Sequence, residues 1–346
     1  MNKKDKIQIV SWLLTRRCNL KCSYCALVKN YKGKPEEYPD MKYYHQNEMT
    51  TEYIIAVLKK LKEHNPNCFS IFYGGEPTLR SDLPEIINFC NKEEIPYTII
   101  TNNSDEVQPM IENLIMKTDR IMGLTSSVDP LVIGSDPNSD RYKKCIKGFE
   151  KLIELKGLID DVVAEITVDG PNIPYLYNLV KTISGFGINS DITFLDIAKT
   201  PYYDFSNVTD EKDLVHRTLE VEETIQKIID DDTLDVHMKK TLLPALLQTL
   251  PANIDCELEK DVHNMTIDAD GSLRLCLRVR GISTPKLSAY NAFTNVGKLN
   301  PIVKEMITKD KASYCRGCQW SCVEMSKILS KGKDTTDELL HSDRRK

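Results

Sequence analysis

Over its first 200 residues the chain alternates short β-branched or aromatic runs with longer amphipathic segments. This alternation limits the fold to strands that pair in parallel under a layer of helices. The strand-like runs are Ile7–Leu14, Phe69–Tyr73, Tyr97–Thr101, Ile121–Ser127, Val162–Val168 and Asp191–Leu195. Between them Thr51–His64, Asp82–Asn91 and Tyr142–Leu155 carry helical periodicity. In the first of these, Ile54, Ile55, Leu58 and Leu61 form one apolar stripe behind the N-cap candidates Thr50 and Thr51. Parallel strands need right-handed crossovers, and continuous apolar strands fit burial on both faces. Six strand-helix units are too few for a closed eight-stranded barrel, so the expectation is an α/β fold with a partial (β/α)6 TIM-type barrel over residues 1–200.

From Tyr202 the pattern changes. Asp213–Asp231 and Leu234–Leu250 read as helices, with Pro244 kinking or dividing the second, and residues 201–250 form a helical bridge. Residues 251–330 then read as a small α+β, cysteine-rich domain, in which Met265–Cys276 sets two alternating runs around Asp270-Gly271, a hairpin signal. Residues 331–346 are polar and charged and read as a fraying tail.

The net charge of −5 gives no global attraction to nucleic acid or to an anionic membrane. No apolar run approaches the roughly 18 residues of a membrane span, and the N-terminus lacks the apolar body of a signal peptide. The reading is cytoplasmic. In a reducing compartment eleven cysteines are poor disulfide formers, so clustered ones point to metal.

Cys18, Cys22 and Cys25 follow the first strand-like run, with three and two residues between them. Three thiolates on one tight loop can take three corners of a cubane [4Fe-4S] cluster and leave its fourth iron open. An open iron can be chelated by the amino and carboxylate groups of S-adenosylmethionine (SAM) and pass it an electron. The competing reading is a zinc knuckle or a redox thiol pair, but zinc wants a fourth ligand nearby, and His45 and Cys68 stand far along the chain. With Tyr24 as its aromatic residue, the loop resembles the signature of the radical SAM superfamily, and the resemblance extends over roughly residues 7 to 200.

Further positions support that resemblance. Gly74-Gly75-Glu76-Pro77 closes the second strand-like run, where glycines admit close approach, proline fixes the turn, and the carboxylate and carbonyls can accept from an ammonium. Alone it would be an ordinary turn; within the family it implies binding of the SAM amino group. Thr101, Asn102 and Asn103 close the third run, and Ser126, Ser127, Val128 and Asp129 the fourth, where the family places groups near the SAM ribose and carboxylate. Ser127 is favoured among them, with strand-end capping as the alternative reading. Thr167–Asn172 resembles a segment whose asparagine reaches SAM, and Leu195 falls where backbone packs on adenine. All lie at strand C-termini, where barrel enzymes build their sites.

Cys256, Cys276, Cys315, Cys318 and Cys322 form a second group, with Cys276 five residues after Gly271 on the hairpin. They resemble the twitch and SPASM extensions of radical SAM enzymes, which hold auxiliary [4Fe-4S] clusters; Asn295-Val296-Gly297 matches a segment usual between their cysteines. Two clusters would need at least seven cysteines there and only five are present, so the expectation is one auxiliary cluster on Cys256, Cys276, Cys315 and Cys318, with Cys322 replacing one or remaining free. A zinc ribbon is the alternative.

Cys68, Cys90 and Cys145 read as buried small hydrophobes, His64 as a helix-end cap, and Arg141 as either a SAM carboxylate partner or a surface ion pair. Tyr31, Tyr38, Tyr43 and Tyr44 could cover the SAM pocket or the barrel rim. The resemblance implies reductive cleavage of SAM to a 5'-deoxyadenosyl radical, charged by a one-electron donor such as flavodoxin or ferredoxin, which takes a hydrogen atom from a small-molecule or peptide substrate. Few residues precede the barrel where peptide-modifying relatives often carry a leader-binding domain, which favours a small molecule or a peptide brought by a separate partner. Adenosyl addition to an unsaturated substrate is a second enzymatic reading, and an iron-sulfur or zinc scaffold or redox relay is the non-enzymatic one.

Overall fold

The computed structural model describes residues 9–20, 46–118, 120–128, 150–151, 153–154, 157–168, 170–194, 215, 217–237, 239–240, 243–244, 247, 264–274 and 289. Its strands are β1 (Ile9–Thr15), β2 (Phe69–Gly74), β3 (Tyr97–Thr101), β4 (Ile121–Val128), β5 (Ile159–Val168), β6 (Asn189–Phe194), β7 (Asn264–Ile267) and β8 (Leu273–Arg274). Between them run α1 (Thr51–His64), α2 (Leu83–Lys92), α3 (Gln108–Lys117), α4 (Ile173–Gly185) and α5 (Leu219–Asp230).

The strands form one sheet in the order β6-β5-β4-β3-β2-β1-β7-β8. Seven of them, β6 through β7, are parallel, and β8 returns antiparallel. Successive strands lie side by side, so right-handed crossovers put the helices on one face and bend the sheet as a barrel wall bends. This is the expected partial TIM-type arrangement. The helix-covered face buries Val10, Trp12, Leu14, Phe72, Tyr97, Ile99, Leu124, Ala164, Ile166 and Ile192 in one cluster. Trp12, Phe72 and Tyr97 stack across three strands with ring centroids 6.0 and 5.9 Å apart.

Local side chains mark the start of three helices. Thr50 accepts the Tyr53 N–H and starts α1, whose buried stripe is Ile54, Val57, Leu58 and Leu61. Val57 takes the place expected for Ile55, because i, i+3, i+4 and i+7 share one face. Pro109 and Pro174 stand in the first turns of α3 and α4, where a missing N–H costs nothing. His64 stands in the last turn of α1, with Asn65 as the C-cap, and Cys68 and Cys90 are buried, their thiols pushed up by burial, Cys68 to about 12.

One expectation fails and one gains a partner. Residues 234–237 do not begin a helix: Val236 bridges Ser190 beside β6, and Asp231 holds the preceding turn by accepting from Thr233 N and Oγ1. A local carboxylate-closed turn and a strand bridge outweigh helical periodicity there. The hairpin around Asp270-Gly271 forms, with Gly271 at φ 79°, but β7 is also hydrogen-bonded in parallel to β1 and extends the main sheet.

Candidate cofactor site at the strand ends

On β4, β5 and β6 the face away from the helices is largely polar. Register pairs Thr125 with Val163, Ser127 with Glu165, Glu165 with Asp191 and Thr167 with Thr193, and paired residues of a parallel sheet share a face. Thr98 Oγ1 and Thr125 Oγ1 lie 3.0 Å apart on it. Ser127 and Thr167 are half-buried on this inner wall, whereas Ser126 is buried under the helices.

At the top of the wall the ends of β1, β2 and β3 interlock around Cys18. Gly75 N donates to Thr15 O at 2.8 Å and Glu76 N to Arg17 O at 2.8 Å. A Cβ on Gly75 would stand 2.1 Å from Arg17 O, and one on Gly74 would stand 2.3 Å from Thr15 O. These glycines permit a close approach to the backbone leading into Cys18.

The Glu76 carboxylate is fully buried. Its Oε1 accepts from Thr78 N at 3.1 Å, Thr78 Oγ1 at 2.7 Å and Thr101 Oγ1 at 3.0 Å, and its Oε2 from Asn102 N at 2.8 Å. Burial raises its pKa, and the hydrogen bonds oppose the shift. Pro77 opens a short 3-10 turn, Pro77–Leu79. Asn102 Nδ2 donates to Asn19 Oδ1 at 2.9 Å and reaches Cys18 Sγ at 3.9 Å, while Leu20 N donates to the same sulfur at 3.4 Å.

Two buried arginines brace this end. Arg16 makes a forked pair with Asp268 in the β7–β8 turn, with Nη2 at 2.8 and 2.7 Å from the two carboxylate oxygens and Nε at 3.1 Å from Oδ1. Arg80 donates to Leu14 O and Met49 O, each at 2.9 Å, and pairs with Asp82. Glu48 accepts from Thr15 Oγ1 and from Arg17 Nη2, the latter at 3.0 Å.

Of the residues singled out from sequence, Cys18, Gly74, Gly75, Glu76, Pro77, Thr101 and Asn102 come together. Ser127 and Thr167 stand on the inner wall, and Asn172 is buried at the N-cap of α4. Cys22, Tyr24, Cys25, Asp129, Leu195, Cys256, Cys276, Cys315, Cys318 and Cys322 lie outside the described residues, as do Arg141, Cys145 and the four tyrosines Tyr31, Tyr38, Tyr43 and Tyr44. Among the described residues no three His, Cys, Asp or Glu side chains gather as metal ligands do.

Sequence reasoning missed Asn19, Arg16, Arg80 and an ionisable group on the inner wall. Glu165 is half-buried there, and loss of water together with the Asp191 carboxylate pushes its carboxyl up to about 7. His237 Nδ1 lies 3.2 Å from Asp191 Oδ1. Burial opposes its charge, but the Asp191 hydrogen bond and the carboxylates of Asp191, Asp161 and Asp235 outweigh it and raise its pKa. A glutamate inside the run Val162–Val168, apolar but for Thr167, was the available signal.

The radical SAM superfamily model matches residues 12–163, from β1 into β5. A Methanosarcina barkeri protein named Fe-coproporphyrin III synthase is 31% identical over 155 residues, which are 45% of this chain and 34% of that one. A probable GTP 3',8-cyclase of Methanococcus maripaludis is 30% identical over 143 residues, 41% of this chain and 44% of that one. The chain thus spans less than half the length of these curated relatives. In fold it resembles Streptococcus suis SuiB bound to S-adenosylmethionine, with a TM-score of 0.57 and 17% identity, covering 87% of this chain and 66% of that one. The chain carries a radical SAM superfamily domain over residues 12–163.

Proposed function

We propose that the chain is a radical SAM enzyme whose Cys18, Cys22 and Cys25 hold a catalytic [4Fe-4S] cluster. The observation that carries this is Cys18 itself: it leaves β1 at the C-terminal end of a parallel sheet, and its sulfur accepts from Leu20 N and faces Asn102 Nδ2. A sulfur so placed suits a thiolate ligand, whereas Cys68 and Cys90, buried among apolar groups, do not. Spacing brings Cys22 and Cys25 onto the same loop. When bound, cluster and SAM supply a one-electron cleavage that yields a 5'-deoxyadenosyl radical for hydrogen abstraction.

The chain's own groups then orient and shield. The Glu76 carboxylate is occupied internally, and Glu76 O and Pro77 O accept from Leu79 N and Arg80 N, so within Gly74-Gly75-Glu76-Pro77 the glycine carbonyls are assigned to the SAM ammonium. Ser127, Asp129, Thr101, Thr167, Asn172 and Leu195 are assigned to the rest of SAM. The inner wall of β4, β5 and β6 faces the substrate, a small molecule or a peptide. Cys256, Cys276, Cys315 and Cys318 hold one auxiliary cluster, with Cys322 as the alternative ligand; Cys276 lies two residues beyond β8. We assign residues 1–200 to the barrel, 201–250 to the bridge, 251–330 to the auxiliary domain and 331–346 to the tail. The enzyme works in the cytoplasm with a flavodoxin- or ferredoxin-type donor. Among the described residues no helix is long and apolar enough to cross a membrane.

The test is anaerobic reconstitution with iron and sulfide, reduction by dithionite, and detection of 5'-deoxyadenosine. The wild-type chain is expected to release it. Release by the Cys18→Ala, Cys22→Ala, Cys25→Ala triple variant, or zinc in place of iron at that loop, would sink the assignment.

A further inference from the structure

We propose that Asn102 sets the reduction potential of the cluster held at Cys18 by donating a side-chain N–H to Cys18 Sγ, and that Glu76 is the positioning residue that holds Asn102 there. This rests on the assignment of Cys18 as a cluster ligand.

The amide orientation follows from its partners. Asn102 Oδ1 accepts from Ser104 N at 3.0 Å, a backbone donor that cannot be reversed. Nδ2 therefore carries the two hydrogens, one directed to Asn19 Oδ1 at 2.9 Å and the other to Cys18 Sγ at 3.9 Å. Asn19 is itself held, its Nδ2 donating to Ser104 Oγ and Glu106 Oε2, each at 2.9 Å.

From the other side Glu76 Oε2 accepts from Asn102 N at 2.8 Å, and its Oε1 is engaged by Thr78 and Thr101. Glu76 is 0% exposed, so this tie has no solvent competitor. The motif glutamate after β2 thus acts on the cysteine after β1 through the residue after β3.

Donors to cluster sulfurs raise the potential, because the added electron increases negative charge on sulfur and strengthens each N–H···S contact. Leu20 N supplies one such donor from the backbone, which no substitution at position 20 other than proline removes. Asn102 supplies one that a side-chain change can delete.

The experiment is an EPR-monitored redox titration of the reconstituted full-length chain, wild type against Asn102→Ser, Asn102→Asp and Glu76→Gln, with iron and sulfide counted in each sample. Serine and aspartate both keep an acceptor for Ser104 N and both lose the N–H. Asn102→Ser is expected to lower the ratio of reduced to oxidised cluster at a fixed potential about tenfold, a fall of about 59 mV for a one-electron couple. Asn102→Asp falls further because it adds a charge, and Glu76→Gln falls in the same direction by releasing Asn102. An unchanged midpoint in both Asn102 variants at wild-type iron content overturns the proposal. So does failure of both to take up iron while the wild type does, since a group that only tunes the potential is not needed for assembly. A shift in the Asn102 variants with none in Glu76→Gln overturns the role of Glu76. A wild-type chain that takes up no iron overturns the cluster assignment instead.

Discussion

Arg16 and Asp268 stand 252 positions apart in the sequence, yet form a forked ion pair whose side chains are 2% and 0% exposed. One belongs to the segment between β1 and Cys18, the other to the β7–β8 turn. Removing only one partner strands a buried charge, so Asp268→Leu is expected to cost about 3–5 kcal/mol, measured by urea unfolding of the apo chain. The double variant Arg16→Met, Asp268→Leu should regain most of that loss. Additive losses in the two single variants and the double would show that the pair is not coupled.

Gly75→Ala places a methyl 2.1 Å from Arg17 O, a backbone atom with no freedom to rotate away. The ends of β1 and β2 must then separate, at about 1–3 kcal/mol in unfolding free energy, and the Cys18 loop shifts with them. Iron uptake should fall well below that of Gly185→Ala, where an added Cβ meets nothing within 4 Å. Equal iron content in the two variants would contradict this account.

Glu165 sets a pH dependence. Its folded pKa of about 7 exceeds the unfolded value of about 4.3, so across that window the folded chain binds more protons and loses stability as pH rises. Glu165→Gln removes the effect. The variant should match wild type near pH 4, at the foot of that window, and exceed it by about 1–3 kcal/mol near pH 8. An equal difference between variant and wild type at both pH values would refute the sign.

The second cysteine group separates from the first by counting. Cys276→Ala should lower the reconstituted iron from about eight to about four per chain and leave 5'-deoxyadenosine release in place. Cys90→Ala should leave the iron count unchanged and cost only packing. A wild-type count near four would remove the auxiliary cluster from the proposal.

Much of the fold was legible because its signals are local. Alternation placed β1 through β6, and Thr50 announced the start of α1. The Leu234 turn was missed because one of its two causes is a bridge to Ser190, which no window around Leu234 contains. The pairing of β7 with β1 was missed for the same reason, since parallel register joins residues far apart in sequence. Within the site, residue types were readable and roles were not. Gly74 and Gly75 also approach the backbone at and just after the end of β1, and Glu76 ties the end of β2 to the end of β3, contacts that the motif alone does not reveal. Motifs report which residues a site contains; only packing reports which atoms they face.

With β2 on one side and β7 on the other, β1 is an interior strand, hydrogen-bonded along both edges. Such strands open late in local unfolding. If Cys18 holds the proposed cluster, oxygen that strips its iron would therefore leave the platform beneath the loop standing. Repair becomes an inorganic task, the return of iron and sulfide to an anchor that never dissolved, rather than a second round of folding.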